Sequence, residues 1–274
     1  MKINIGNHEF TELWDGVLYK ALSDYPNISD NEMKDIIDFA EYEKTNGREC
    51  EITADRQDIL AYVQAKMQEP DKYKNVCRPE IIRECTACTA RGGCMTDFIC
   101  HTAPLENAIH IFECGSLLSA VNARKLPDTV LQKEKRNAAK DPVDFFHYVM
   151  FSWGNCQAGD RLVMERKLGR KPTEEEMGDG FTPGVRFYFK YDVLEKHPHA
   201  VHDGFLPIKV KDEVNLADYV YMIIIPLEYK EQVLAVLPKE LEDRAFCLSH
   251  DKLDVWQWSE KTYVFVCKHQ KLSI

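Results

Sequence analysis

A chain of 274 residues, 45% apolar and 29% charged, is long enough to bury a core of its own, which excludes the small disulfide-stapled class. A formal charge of -10 excludes nucleic-acid binding by bulk charge, and leaves room only for a local basic groove. The sequence shows no charged start followed by an apolar leader segment, and no apolar run long enough for a bilayer. The expectation is a soluble, cytoplasmic protein whose ten cysteines serve as thiols, metal ligands or small core residues.

In chain order, apolar residues at three-to-four spacing predict helices near residues 10–23, 31–42 and 54–67. Residues 1–76 are therefore expected to form a helical N-terminal region. Ser29 followed by Glu32 fits a capping box, in which hydroxyl and carboxylate each satisfy a free backbone N–H at a helix start. After a junction at 77–100, a strand-like start at 98–102 leads into a helix over Leu105–Cys114, with Gly115 as its stop. From residue 145 the texture turns to β, with strands expected at 146–153, 184–191, 219–225 and 261–268 and a helix at 227–237. Trp256 and Trp258 would alternate across a strand, placing at most one in the core. Strands and helices mix without a regular βαβ alternation, which argues for an α+β fold.

The junction carries Cys77, Cys85, Cys88, Cys94 and Cys100, with Gly92 and Gly93 between. A Cys-x-x-Cys turn sets two thiolates on one side of a tight loop, as tetrahedral zinc requires, and an iron–sulfur cluster also accepts four thiolates. Cys85, Cys88, Cys94 and Cys100 are the candidate ligands and Cys77 a spare. The competing reading is a run of small buried thiols. Cys50, Cys114, Cys156, Cys247 and Cys267 are scattered and read as core.

The most informative stretch runs from Cys100-His101-Thr102 through Leu105–Cys114 to Gly115-Ser116-Leu117-Leu118-Ser119: a strand ending in a polar pair, a helix, and a glycine stop. It resembles the opening of ADP-ribosyltransferase domains, particularly DarT-type DNA ADP-ribosyltransferases. Phe146 to Phe151 with the later Arg161 to Met164 resembles the family's second core strand and its arginine loop. His202-Asp203-Gly204 and Met222 to Pro226 resemble its Asp-Gly turn and its strand ending in proline. The resemblance spans residues 98–240. It implies a split β-sheet domain over 101–274 that binds NAD, with His101 and Thr102 on the adenosine side and Ser119 or Tyr148 at the nicotinamide end; Trp153 would stack on a base or the nicotinamide, or belong to the core. Arg161 would meet the pyrophosphate.

At one position the chain departs from the family. Met222 falls where the transferases carry a glutamate, and a thioether cannot do a carboxylate's work at an oxocarbenium-like centre. Glu165 and Glu213 are the acids that would replace it, if the protein is active. The resemblance implies transfer of ADP-ribose to a nucleic-acid or protein acceptor. Basic islands at Lys133, Lys135, Arg136 and Lys140, and at Arg166, Lys167, Arg170 and Lys171, would meet a nucleic acid, or are simply solvated helix faces. The alternative is a catalytically inactive nucleotide- or partner-binding module with a metal-stapled junction. The sequence holds no phosphate-binding Gly-x4-Gly-Lys loop, no Gly-x-Gly-x-x-Gly, no His-Glu-x-x-His and no Gly-x-Ser-x-Gly.

Overall fold

The computed structural model describes residues 1–9, 11–74, 76, 97–133, 140–178 and 181–270. The N-terminal unit begins with β1 (Lys2–Gly6), β2 (Glu12–Trp14) and β3 (Val17–Ala21), followed by α1 (Asp30–Thr45), β4 (Glu51–Ala54) and α2 (Gln57–Lys66). The strands form one sheet in the order β2-β3-β1-β4, with β1 parallel to both β3 and β4. The N-terminal region is thus α/β, not all helical as its spacing suggested. The segment expected to be a helix at 10–23 is largely the hairpin β2–β3. Its turn is Asp15-Gly16, both at positive φ (54° and 80°), the conformation that matches a hairpin's twist. In so short an apolar run, helical and strand spacing cannot be separated.

The two other N-terminal helices form as the spacing indicates. Ser29 and Glu32 close a capping box at α1, and Met33, Ile36 and Ile37 turn inward. They meet Ile3, Ile5 and Leu18 from the sheet, and Ile59 and Val63 from α2.

The remainder is an α+β unit. It comprises β5 (Phe98–Ala103), α3 (Leu105–Cys114), β6 (Ser116–Leu118), α4 (Ala120–Arg124), α5 (Asp128–Leu131), β7 (Tyr148–Met150), β8 (Ser152–Trp153) and α6 (Ala158–Leu168). There follow β9 (Val185–Lys190), α7 (Tyr191–Leu194), β10 (Ala200–Val201), β11 (Lys209–Lys211), β12 (Glu213–Asn215), α8 (Leu216–Tyr219), β13 (Val220–Pro226), α9 (Lys230–Leu234), β14 (Ala245–Leu248) and α10 (Val255–Gln270). Gly115 stops α3 in the left-handed conformation at φ 70°.

Five strands make the main sheet in the order β14-β13-β9-β5-β8, while β10-β11-β7 and β12-β6 form separate ladders. One face of the main sheet, carrying Ile99, Phe187, Phe189, Ile223 and Ile225, shares a core with Leu117, Val149, Val210 and Val214 of those ladders. The other face, carrying Phe98, Cys100, Tyr188, Met222 and Ile224, lies under α10 and part of α6.

Two expected strands change. The stretch 146–153 divides between the layers: β7 pairs with β11, β8 pairs with β5, and the buried Phe151 marks the crossing. The strand expected at 261–268 lies within α10. Its β-branched and aromatic residues favour a strand, but Trp258, Tyr263, Val266 and Cys267 recur on one helical stripe and are all sealed against the sheet. Trp258 is core and Trp256 is half exposed. The helix expected at 227–237 is a short 3-10 turn followed by the single-turn α9. Among the described residues no helix is long and apolar enough to cross a membrane.

The two units are held together by side chains. Gly204, at φ 73°, presses on α1 so closely that a Cβ there would lie 2.2 Å from the Asp35 carbonyl oxygen. Arg48 pairs with buried Glu43 on its own unit and with Asp144 of the other at 2.7 Å, and Tyr42 donates to Asp144 at 2.5 Å. Phe205 packs into the N-terminal core.

Candidate functional site

His101 stands in β5, opposite Phe187 of β9 and one strand in from the β8 edge of the main sheet. Its Nδ1 lies 3.0 Å from the Met150 carbonyl oxygen, at the point where the chain leaves β7 for β8. A carbonyl only accepts, so Nδ1 carries the proton and Nε2 is left as an acceptor. Burial pushes the imidazole pKa down to about 4, with the Arg166 charge adding to the fall, so the ring is neutral at pH 7. Phe151 meets the ring edge-on at 6.1 Å.

Neighbouring strand residues point to opposite faces, and Thr102 accordingly leaves His101. It faces α6, where the Gly159 and Gly184 backbones press against it: a Cβ on Gly159 would sit 2.3 Å from the Thr102 hydroxyl oxygen. Arg161 and Glu165 lie one turn apart on that same helix. Arg161 is in ionic contact with Glu12 of β2 at 3.8 Å, and Glu165 is buried. Trp153 sits opposite Ile99 on the His101 face of the sheet, displaced toward the start of β5, and meets the Tyr191 ring at 5.3 Å with the planes tilted by 42°.

Glu213 belongs to the β6–β12 ladder, and Ser119 directly follows β6. Ser119 is fully buried and engaged as the N-cap of α4, whereas Glu213 is exposed. Tyr148 lies on the side of β7 away from the shared core, beside Lys209, Tyr42 and Phe145. The expected site residues are therefore divided among the β5–β8 surface, the α6 side, the β6–β12 ladder and the contact with α1.

Met222 is 4% exposed and packs with Phe98, Cys100 and Ile224 beneath α10. A bulge between Val220 and Met222 sets this register and turns Tyr221 onto the Phe98 ring at 5.0 Å. The residue at the position that the resemblance assigns to a glutamate is a core side chain in this fold.

Of the candidate metal ligands, Cys85, Cys88 and Cys94 lie outside the described residues, as does Cys77. Cys100 is buried on the α10 face of the sheet, packed among Phe98, Tyr188 and Met222, and burial pushes its thiol up to about 12. Among the described residues no group of three or more His, Cys, Asp or Glu side chains is placed to hold a metal.

The second basic island is largely engaged within the chain. Arg170 forks onto Glu176, Lys171 pairs with Glu12 at 2.9 Å and lies over Trp14, and Lys167 donates to Thr182. In the first island Lys140 pairs with Asp15 at 2.8 Å, and Lys135 and Arg136 lie outside the described residues.

Two buried charge clusters escaped the sequence reading. Asp160 and Arg186 form a fully buried pair, joined by Tyr188, Ser259 and Thr262, that ties α6 and α10 to the sheet. Lys209 and Asp203 meet at 2.9 Å with the ammonium 3.7 Å from the Tyr42 ring centre and 4.3 Å from that of Phe145. A lysine between Ile208 and Val210, both fully buried, was the available signal for the second pair. No protein-family model matches the chain, and neither a curated protein nor a solved structure shows significant similarity to it.

Proposed function

We propose that the chain is an ADP-ribosyltransferase-like protein that binds NAD at the His101 end of β5 and transfers ADP-ribose to a macromolecular acceptor, nucleic acid or protein. The observation that carries this reading is the fixed tautomer of His101. Its Nδ1–H is held by the Met150 carbonyl and its ring is neutral, so Nε2 offers a preset acceptor for a ribose hydroxyl. The two packed β-layers on either side of a shared core are in keeping with the split sheet that the resemblance implies.

In such a reaction the nicotinamide leaves with the electron pair of the glycosidic bond, and the acceptor attacks the resulting cationic centre. A carboxylate stabilises that charge. Of the two candidates, Glu213 is exposed on β12 while Glu165 is buried on α6, so Glu213 is the one open to solvent and the one that the reading assigns this role. A zinc ion or iron–sulfur cluster at the junction belongs to the same proposal. Its support is the thiol spacing in residues 77–100, and the burial of Cys100 moves the fourth ligand to Cys77.

A second reading, a catalytically silent nucleotide-binding module, is favoured by the burial of Met222 at the position of the family's glutamate. Calorimetric titration of the full chain with NAD, paired with an assay for free nicotinamide, separates the readings. Binding with turnover that Glu213→Gln abolishes supports the transferase. Binding without turnover supports the module. Absence of binding at millimolar NAD ends both.

A further inference from the structure

The group that fixes His101 is the backbone carbonyl of Met150, the last residue of β7. That carbonyl and the N–H of Phe151 belong to one rigid peptide plane, so the placing of Phe151 sets where the oxygen points. Phe151 is also the single residue between the two layers. Before it, Met150 stands opposite Lys209 of β11; after it, Ser152 stands opposite Cys100 of β5.

Phe151 belongs to neither ladder, and its side chain anchors the crossing. It is buried in the core that the layers share. Its ring meets Phe189 of β9 at 5.2 Å, with the planes 77° apart, and the His101 imidazole at 6.1 Å, with the planes 67° apart. Edge-to-face pairs of this kind favour a set orientation, so the ring is held from two sides. Just past the crossing, the Ser152 hydroxyl donates to the Cys100 carbonyl at 3.3 Å and ties the start of β8 to β5.

We infer that Phe151 is a positioning residue for His101: it holds the Met150 carbonyl over Nδ1 and so fixes which imidazole nitrogen is offered to a ligand. Its action passes through the carbonyl. Without the ring, the peptide at the crossing is free to turn, and the Nδ1–H loses its acceptor. A neutral imidazole then carries its proton on either nitrogen, and the ring is no longer held in one orientation. The role in NAD binding rests on the reading proposed above, whereas the tautomer lock is a property of the free protein.

The test uses the full chain with isotope-labelled histidine and reads the two imidazole nitrogens of His101 by NMR, assigned through His101→Gln. In the native protein the proton should sit on Nδ1 alone. In Phe151→Leu both tautomers should appear, and NAD affinity measured by calorimetry should fall about two- to tenfold, the size of one hydrogen bond to a ligand hydroxyl. Phe151→Met, nearer in volume, takes its place if the leucine variant does not fold. Phe112→Leu is the control, because it removes another buried ring of the same core, one that packs on Phe187 from α3. It should lower the melting temperature and leave both the tautomer and NAD affinity unchanged. His101→Ala combined with Phe151→Leu should bind NAD no more weakly than His101→Ala alone, since both remove the same contact. Mixed tautomers in the native protein or in Phe112→Leu, a single tautomer in the Phe151 variants, or losses that add in the double variant overturn the inference. Absence of NAD binding throughout ends the NAD reading, and the tautomer populations then decide the role of Phe151.

Discussion

Lys209 and Asp203 form a buried ion pair whose ammonium is shared with a residue of the other unit: Nζ lies 2.9 Å from Asp203 Oδ2 and 3.7 Å from the centre of the Tyr42 ring on α1. The pair is in ionic contact but off the line of a hydrogen bond, and the surrounding rings supply much of the ammonium's stabilisation. The carboxylate is held by its other oxygen, which accepts the backbone N–H groups of Phe205 and Leu206.

Removing one partner of such a pair leaves an uncompensated buried charge. Lys209→Met should therefore lower the stability measured by urea unfolding by about 3–5 kcal/mol. Lys209→Met combined with Asp203→Asn should recover most of that loss, since the amide oxygen still accepts both backbone N–H groups. Equal losses in the single and double variants would show that charge is not the issue.

The His101 imidazole gives stability a pH dependence with a definite sign. Its folded pKa, about 4, lies below the ordinary 6.5, so between these values the unfolded chain binds more protons than the folded one. Stability then rises with pH through this window and is fully gained above about 6.5. The contribution lost on acidification is up to roughly 3 kcal/mol. Unfolding curves at pH 4.5 and 7.5 should differ less in His101→Gln than in the native protein. His101→Ala should weaken NAD binding by up to about tenfold through loss of a hydrogen bond to a ligand hydroxyl.

Met222→Glu would supply in sequence, but not in space, the carboxylate that the resemblance expects there. It buries an ionisable group among Phe98, Cys100 and Ile224, on a face whose buried cation, Arg186, is already paired with Asp160. The expected result is a loss of about 3 kcal/mol or more and no rise in nicotinamide release. A thermal melt and a nicotinamide assay on the same sample decide it, and a gain of turnover would refute the burial argument.

For the cysteine junction, elemental analysis of protein purified without a histidine tag should show about one zinc per chain, or the absorbance of an iron–sulfur cluster. Cys100→Ala should keep the metal, because its thiol is packed beneath α10, while Cys88→Ala should lose it. Folded protein that contains no metal would end this part of the proposal.

Where local chemistry suffices, the sequence was explicit. The capping box at Ser29 and Glu32, the helix Leu105–Cys114 with its glycine stop, and the strands at β5, β9 and β13 follow from side-chain type and spacing alone. The candidate site was less legible. His101 could be singled out at the end of a strand, but the opposite orientation of Thr102 and the burial of Ser119 and Met222 depend on which face each sheet covers. The strand expected at 261–268 failed for a related reason: β-branched and aromatic residues there also fit a helical stripe, and the open face of the main sheet was what selected the helix.

By itself, then, the sequence determined a mixed α+β chain with a capped amphipathic helix near its start and a strand that carries a polar pair ahead of the helix Leu105–Cys114. Tertiary structure alone decided that the N-terminal unit contains a sheet, that Lys209 is caged by rings from two units, and that Trp153 faces α1 across a cleft. The physical reason is that propensity and periodicity act within a few residues. Burial of a charge or closure of a cleft depends on groups brought together from opposite ends of the chain, and only packing sets their distance.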